Sequence, residues 1–363
     1  MRVSTYACAV IAAGSQGRVH AQGYRAAGPA GAKLVAVADP DLDAAHSLAG
    51  ELGIPAVYGS HLDLLAAEHP DVLSICTPPA AHLEIARAAI DAGIRAIHCE
   101  KPVATSYRDV LEMQRLAEEA GVQLTVNLQR RFEPVHRFAR EQLAAGAIGT
   151  VTSIEGYCPN LPDFGSHIVD LLLYYRGDQR PTWVTGQVDV TVNRYVYGTF
   201  TETSSVTQVA WPDGVSAIVV TGREPQTPVL NLENNLGLIV QGRAGRLVSS
   251  GARCVIRRFG ETDVVFESPF SRDRSTWDRG VDPAIAAGTA EAIADLLASL
   301  ASGRPPVLRA ALAAAGAEII FATYESSRSR RRVWLPLDVL DNALASGLEQ
   351  GFWHPSGEQR STY

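Results

Sequence analysis

The stretch Ala7-Cys8-Ala9-Val10-Ile11-Ala12, followed by Ala13-Gly14-Ser15-Gln16-Gly17, decides the fold. A short apolar run ending at closely spaced glycines reads as a buried strand turning into a helix. Glycine at 14 lets backbone approach a pyrophosphate and glycine at 17 lets the helix pack on the sheet. The helix N-terminus adds unpaired N–H groups and the positive end of its dipole. The turn is a GxGxxG fingerprint whose first position is Ala12, and in isolation it also reads as an ordinary strand-to-helix turn. Its surroundings extend it. A second strand, Leu34–Ala38, ends at Asp39, which lies 22 residues past Gly17. That is close to the spacing of about 20 at which a carboxylate binds an adenosine ribose diol. An aspartate at a strand end can also cap a helix, but Asp41 is placed to do that for the next one. Asp39 repels a 2′-phosphate and neither Pro40 nor Asp41 brings a cation, so the expected cofactor is NAD rather than NADP.

Outward from this turn, short apolar runs alternate with amphipathic stretches. Val72–Cys76, Ala96–Cys99 and Val122–Val126 read as further strands, with helices near Arg18–Ala27, Leu42–Leu52, Ala80–Ala92 and Tyr107–Ala120. Continuously apolar strands separated by helices predict a parallel, doubly wound sheet covered on both faces. After a helix at Pro134–Ala145 the rhythm changes to Val- and Thr-rich stretches: Thr150–Tyr157, Thr182–Thr191, Ser204–Trp211, Val215–Thr221, Leu238–Gln241 and Val264–Phe266. Turns such as Pro212-Asp213-Gly214 suggest antiparallel meanders. Helices at Pro283–Ser302 and Leu308–Ser327, then a strand at Val333–Leu335, complete the pattern. The expected architecture is an α/β dinucleotide-binding domain over 1–126, an α+β domain with a large, mainly antiparallel open sheet over 127–337, and a tail over 338–363. The run Arg328, Arg330, Arg331, Arg332 reads as a solvated helix C-terminus favoured by the helix dipole.

Composition narrows the class. The 363 residues are 46% hydrophobic and 20% charged, which is enough apolar material for large cores and excludes a disordered chain. The net charge of −7 argues against a nucleic-acid or anionic-membrane footprint. Five scattered cysteines without a CxxC read as thiols of a reducing cytosol. No signal peptide and no apolar run approaching a membrane span is read, so the expected location is cytoplasmic.

The motifs in order resemble the Gfo/Idh/MocA oxidoreductases. They are Gly14-Ser15-Gln16-Gly17-Arg18-Val19-His20, Val35-Ala36-Val37-Ala38-Asp39, and Ile75-Cys76-Thr77-Pro78-Pro79 with His82. Next come Glu100-Lys101-Pro102, Asp163-Phe164-Gly165-Ser166-His167-Ile168-Val169-Asp170, and Leu335-Pro336-Leu337. The resemblance implies a Rossmann domain followed by a sheet whose exposed face often forms an oligomer interface, here a homodimer or homotetramer. It implies cofactor contacts from Ala12, Gly14, Ser15, Gln16, Gly17, Asp39, Thr77, Pro78, His82, Glu100 and Lys101, with a cis Lys101–Pro102 peptide. It also places Asp163 and His167 at the active site. Without it Lys101 reads as a surface lysine beside a turn proline. This sequence departs from the family pattern at Ala12, and at Pro159-Asn160-Leu161-Pro162, where many members have a glycine-rich loop.

Asp163 and His167, four residues apart around a helix start, can face one cleft. Two other readings compete: Asp163 as a cap with His167 in the core, and a zinc set of Asp163, His167 and Asp170. The family transfers hydride without a metal, and no metal is expected here. Lys101, Asp163 and His167 are the expected catalytic residues, and Tyr157, Asn160, Asp163 and His167 the expected substrate contacts. Arg130 and Arg131 have tips suited to a polyhydroxylated ring, but Arg131 alone reads as a surface arginine. The expected activity is NAD-dependent oxidation of a secondary hydroxyl of a sugar, glycoside, cyclitol or sugar derivative. The alternatives are a redox-neutral glycosidase-type enzyme with tightly bound NAD, and a non-catalytic nucleotide-sensing protein.

Overall fold

The computed structural model describes residues 4–222, 236–270, 281–357 and 360–361. The chain forms two compact units, each discontinuous in sequence. The first comprises the described residues of 1–104, 109–132 and 273–314, and the second those of 105–108, 133–272 and 315–363. The contiguous division at 126 and 337 therefore gives way to an interleaved one.

The first unit is built on β1 (Tyr6–Ile11), α1 (Ser15–Ala26), β2 (Ala32–Ala38), α2 (Leu42–Leu52), β3 (Ala56–Tyr58), α3 (His61–Glu68), β4 (Val72–Ile75), α4 (His82–Asp91), β5 (Ala96–Cys99), α5 (Tyr107–Ala120) and β6 (Gln123–Val126). The strands run parallel in the order β3-β2-β1-β4-β5-β6, the reversal at β1 and β4 marking a doubly wound sheet. β1, β4 and β5 are almost wholly buried, which explains their lack of polar alternation. Strand β3 and helix α3 had no counterpart in the sequence reading. Helix α3 begins at Ser60, whose hydroxyl accepts from Asp63 N, a serine-to-acid spacing typical of a helix start.

The second unit contains α6 (Pro134–Ala144), β7 (Val151–Cys158), α7 (Ser166–Tyr175), β8 (Trp183–Asp189), β9 (Arg194–Val196), β10 (Thr199–Thr201), β11 (Ser204–Ala210), β12 (Ser216–Thr221), β13 (Gly237–Gly242), β14 (Gly245–Ser250), β15 (Arg253–Arg258) and β16 (Val264–Glu267). The chain then returns to the first unit as α8 (Pro283–Ser302), before α9 (Ala310–Ser329), β17 (Val333–Trp334), α10 (Ala343–Glu349) and β18 (Arg360–Ser361). Nine strands form one sheet in the order β16-β15-β14-β13-β7-β12-β11-β8-β17, antiparallel except for the β7–β12 pair. One face packs on helices: a Cβ on Gly156 of β7 would lie 2.8 Å from Ile168 of α7. The other face carries Val206, Ile218 and Val265, each more than 40% exposed.

Helix α8 accounts for the interleaving. Its Ile293, Leu296 and Leu297 join the core of β1, α1 and α2 side chains that includes Val10, Tyr24 and Leu48. It is long and apolar enough on average to cross a membrane, but Glu291 and Asp295 interrupt its apolar run, as expected of a chain without an uninterrupted apolar span. Here it is a core helix. The tail is likewise built in: α10 is capped by Asn342, and Trp353 packs over Gly347.

Candidate functional site

The glycine turn is closed by Ala12 in a left-handed conformation, with φ +83°. Its carbonyl oxygen occupies the space a Cβ on Gly17 would need, so only glycine lets α1 start there. Gly14 and Ser15 are exposed, and the Cβ position of Gly14 faces open space. Helix α1 has neither a side-chain cap nor an acid in its first turn. Its leading N–H groups are therefore left for an anionic ligand. At the end of β2, Asp39 accepts Ala13 N at 2.7 Å and Asp41 N at 2.8 Å, one with each carboxylate oxygen. Each oxygen keeps a lone pair for a hydroxyl donor. Asp41, not Asp39, caps α2.

The loops after β4 and β5 lie in the same unit. The Thr77 hydroxyl is buried with no hydrogen-bond partner among the described residues, while Pro78 is exposed. His82 is fully buried between the Thr77 carbonyl at 2.8 Å and the Val103 carbonyl at 3.0 Å, which ties the two loops together. Burial lowers its pKa. The Lys101–Pro102 peptide is cis, and Lys101 is half-buried. Glu100 accepts Lys101 N at 3.1 Å, and its other oxygen is held by His20 Nε2 at 2.9 Å and the Asn127 amide at 2.7 Å. Burial pushes the Glu100 carboxyl up, but the His20 hydrogen bond and the charges of His20 and Lys101 outweigh it and hold the pKa at about 2. Behind it, burial and the neighbouring His20 drive the His98 pKa down to about 3.

In the second unit the chain leaves β7 through a wide turn, Leu161–Gly165, and enters α7 at Ser166. Asn160 opens the turn, its side chain accepting Asp163 N at 2.8 Å. Gly165 N returns to the Asn160 carbonyl at 2.8 Å, and a Cβ on Gly165 would be no farther from that oxygen. Such i-to-i+5 turns recur at functional sites. Asn160, Asp163 and His167 are brought together here, each at most 5% exposed, and Asp170 is 1% exposed one turn further on. Tyr157 is not in this group. Strand alternation from Gly156 puts it on the face turned away from α7, where it packs with Ile239 and donates to Glu155. Among the described residues no three His, Cys, Asp or Glu side chains converge as metal ligands.

One feature escaped the sequence reading and one reading is corrected. Glu202 is fully buried and accepts Leu161 N at 2.6 Å, the Thr201 hydroxyl at 2.7 Å and the Tyr324 phenol at 2.8 Å. A lone Glu between threonines gave no pattern to reveal it. Arg131, which taken alone reads as a surface arginine, is buried at 3% exposure, and Arg130 beside it at 8%.

The open space before Gly14, the uncapped helix, the Asp39 carboxylate and the unpartnered Thr77 hydroxyl fit a bound dinucleotide. Together they have the form of a dinucleotide-binding Rossmann turn. Residues 6–128 match the model of the Gfo/Idh/MocA oxidoreductase family, whose domain is an NAD-binding Rossmann fold. The D-xylose 1-dehydrogenase (NADP(+)) 2 of Haloferax volcanii is 38% identical over 133 residues, 36% of this chain and 40% of that enzyme. The inositol 2-dehydrogenase of Rhizobium meliloti is 29% identical over 231 residues, 59% of this chain and 68% of that enzyme. The chain thus spans less than half the length of the first of these relatives and about two thirds of the second. A structure of levoglucosan dehydrogenase with NADH and levoglucosan superposes with a TM-score of 0.77 at 19% identity, covering 92% of this chain and all of that one. This last likeness is one of fold.

Proposed function

We propose that the protein is an NAD-dependent dehydrogenase acting on a secondary hydroxyl of a sugar, glycoside, cyclitol or sugar derivative. The observation that carries this reading is the buried turn that sets Asp163 and His167 one helical step apart, in a chain that also carries the cofactor turn ending in Asp39. The names of the similar enzymes, a xylose and an inositol dehydrogenase, support the substrate class.

Gly14, Ser15, Gln16 and Gly17 would hold the pyrophosphate on the N-terminus of α1, Asp39 the ribose diol, and Thr77, Pro78, Glu100 and Lys101 the nicotinamide end. NAD, when bound, supplies the hydride acceptor. The protein's task is then the proton and the oxygen. A ring nitrogen of His167 takes the hydroxyl proton, a role for which imidazole has the right ordinary pKa. Lys101 holds the substrate oxygen with its ammonium as negative charge develops there, and Asp163 orients the hydroxyl or the imidazole. Asn160 contributes through the turn it caps. His82 acts on the cofactor loops through Thr77 and Val103.

Asp39 favours NAD, although the 38%-identical xylose enzyme is named for NADP(+). The test is a screen of purified protein with NAD and NADP against sugars, cyclitols and glycosides, followed by nicotinamide absorbance. Reduction of NAD with a polyol is expected. Equal or better efficiency with NADP overturns the role of Asp39. Product release without net absorbance change points to transient redox, and no turnover with any polyol overturns the dehydrogenase reading. A homodimer or homotetramer formed through the open face of the nine-stranded sheet belongs to the same proposal, since large apolar surface seldom stays bare.

A further inference from the structure

Helix α9 ends at Ser329, and only Arg328 of the arginine run lies within it. Arg328 is fully engaged, bonded to Glu325, Asp341 and the Ser346 hydroxyl. The helix-dipole reading of the run therefore accounts for Arg328 and leaves three guanidinium groups unexplained. Arg330, Arg331 and Arg332 are exposed, and none is paired with a carboxylate among the described residues.

These three arginines line an open cavity of about 730 Å³ lying wholly within the second unit. Thr185 to Asp189 of β8 and the next two residues, Val190 and Thr191, line one side, and Phe352, Trp353 and His354 line another. β17 pairs with β8 for two residues and stops. Beyond it the hydroxyls of Ser326 and Ser327 take the Gly186 and Val188 N–H groups, so the sheet edge is satisfied without another strand. The turn is fixed as well: Ser326 accepts Arg331 N through its carbonyl and donates its hydroxyl to the Arg331 carbonyl, while Arg330 is held at φ +54°. Directly after α9, Arg330 takes the left-handed conformation of a helix C-cap, and the Arg331 N–H to Ser326 carbonyl bond closes it, which fixes where the three side chains leave the backbone. The Arg332 guanidinium lies 4.1 Å from the Trp183 ring centroid, and that of Arg330 5.8 Å from the Phe352 ring. Stacking of this kind holds a guanidinium plane in place while leaving its N–H edge for an oxyanion. Among the described residues Asp189 is the one acidic side chain along the cavity, and it already accepts from Thr191.

We propose that this cavity binds a small organic anion carrying two or more phosphate or carboxylate charges. Three guanidinium groups offer paired donors to such oxygens. The volume falls in the range of small-molecule sites and exceeds the need of a bare inorganic ion, leaving room for an organic body against Phe352 and Trp353.

The test is calorimetric titration of the full chain, saturated with NAD to fill the glycine turn, against glucose 6-phosphate, citrate and inorganic pyrophosphate at constant ionic strength. Glucose 6-phosphate and citrate separate a phosphorylated sugar from a polycarboxylate as the source of the charge, and sodium chloride serves as the control. Saturable binding of one of the organic anions is expected, weakened about tenfold or more in Arg331→Ser and lost in the triple Arg330→Ser, Arg331→Ser, Arg332→Ser variant. It should be retained in Arg253→Ser, Arg257→Ser, which removes two arginines from β15. Circular dichroism and NAD binding establish that the triple variant is folded. If it is not, Arg331→Ser alone decides. Heat that tracks ionic strength without saturation, or binding unchanged by the arginine substitutions, overturns the proposal. So does a wild type that binds no anion while the triple variant changes oligomeric mass, because the cluster is then a subunit contact.

Discussion

Glu202 accepts the backbone N–H of Leu161 at 2.6 Å, tying the chain just after β10 to the turn that carries Asp163. Every group around this carboxylate donates to it: Leu161 N, the Thr201 and Thr221 hydroxyls and the Tyr324 phenol. An amide at this position would turn an N–H toward donors. Glu202→Gln should therefore cost about 1–3 kcal/mol of stability. It should also lower kcat while leaving NAD affinity intact, because the turn that holds Asp163 loosens. Urea unfolding and steady-state kinetics check this, and wild-type values in both would show that the turn stands without Glu202.

His167→Ala should lower kcat by about 10²–10⁴-fold and erase the acidic limb of the pH–rate profile, as expected for loss of a general base. Lys101→Ala should lower kcat by about a hundredfold or more, since it removes the charge that steadies the reacting oxygen. Asp163→Asn should lower kcat and raise KM. NAD affinity should survive the His167 and Asp163 changes. Near-normal turnover in a His167→Ala protein that still binds NAD would assign the proton to another group.

Ala12 occupies a backbone conformation that suits glycine, at φ +83°. Ala12→Gly should relieve that strain, partly offset by the greater freedom of glycine in the unfolded chain, for a net gain of up to about 1 kcal/mol. The urea midpoint should rise with the activity unchanged. A fall would mean that packing of the Ala12 methyl outweighs the strain.

Stability should fall with acid in two stages. His98 has a folded pKa of about 3, below its ordinary 6.5 because burial, then the neighbouring His20, disfavours the charged form. The unfolded chain thus binds the proton more readily, and stability present above pH 6.5 is lost on the way down to about 3. Glu100, held at about 2 against an ordinary 4.5, adds a second loss between those values. His98→Gln should flatten the profile above pH 4.5 and leave the Glu100 stage in place. An unchanged profile in that variant would remove His98 from the account.

Elements with strong local periodicity were legible in the sequence. Leu42–Leu52, Tyr107–Ala120 and Pro283–Ser302 have the boundaries their patterns predict. β14 and β15 were missed because arginines break up their apolar runs. In β15, Cys254 and Ile256 alternate inward while Arg253 and Arg257 point outward, a period-2 signal that charge obscured. The cofactor turn was readable because its glycines act locally. Glu202 reaches its partners only through tertiary folding, and Tyr157 was assigned to the site without the strand alternation that turns it away.

Helix α8 has a consequence for synthesis. The residues that complete the core around Val10, Tyr24 and Leu48 leave the ribosome only after the whole nine-stranded sheet except β17 has been made. Until then the nascent nucleotide-binding half carries an open apolar seam along α1, where Gly23 receives Ile293. A fragment ending near residue 132 keeps the glycine turn and all six parallel strands yet lacks that cover. It is a poor excision point for a portable cofactor module, because the apolar seam that α8 covers stays open to solvent and to aggregation.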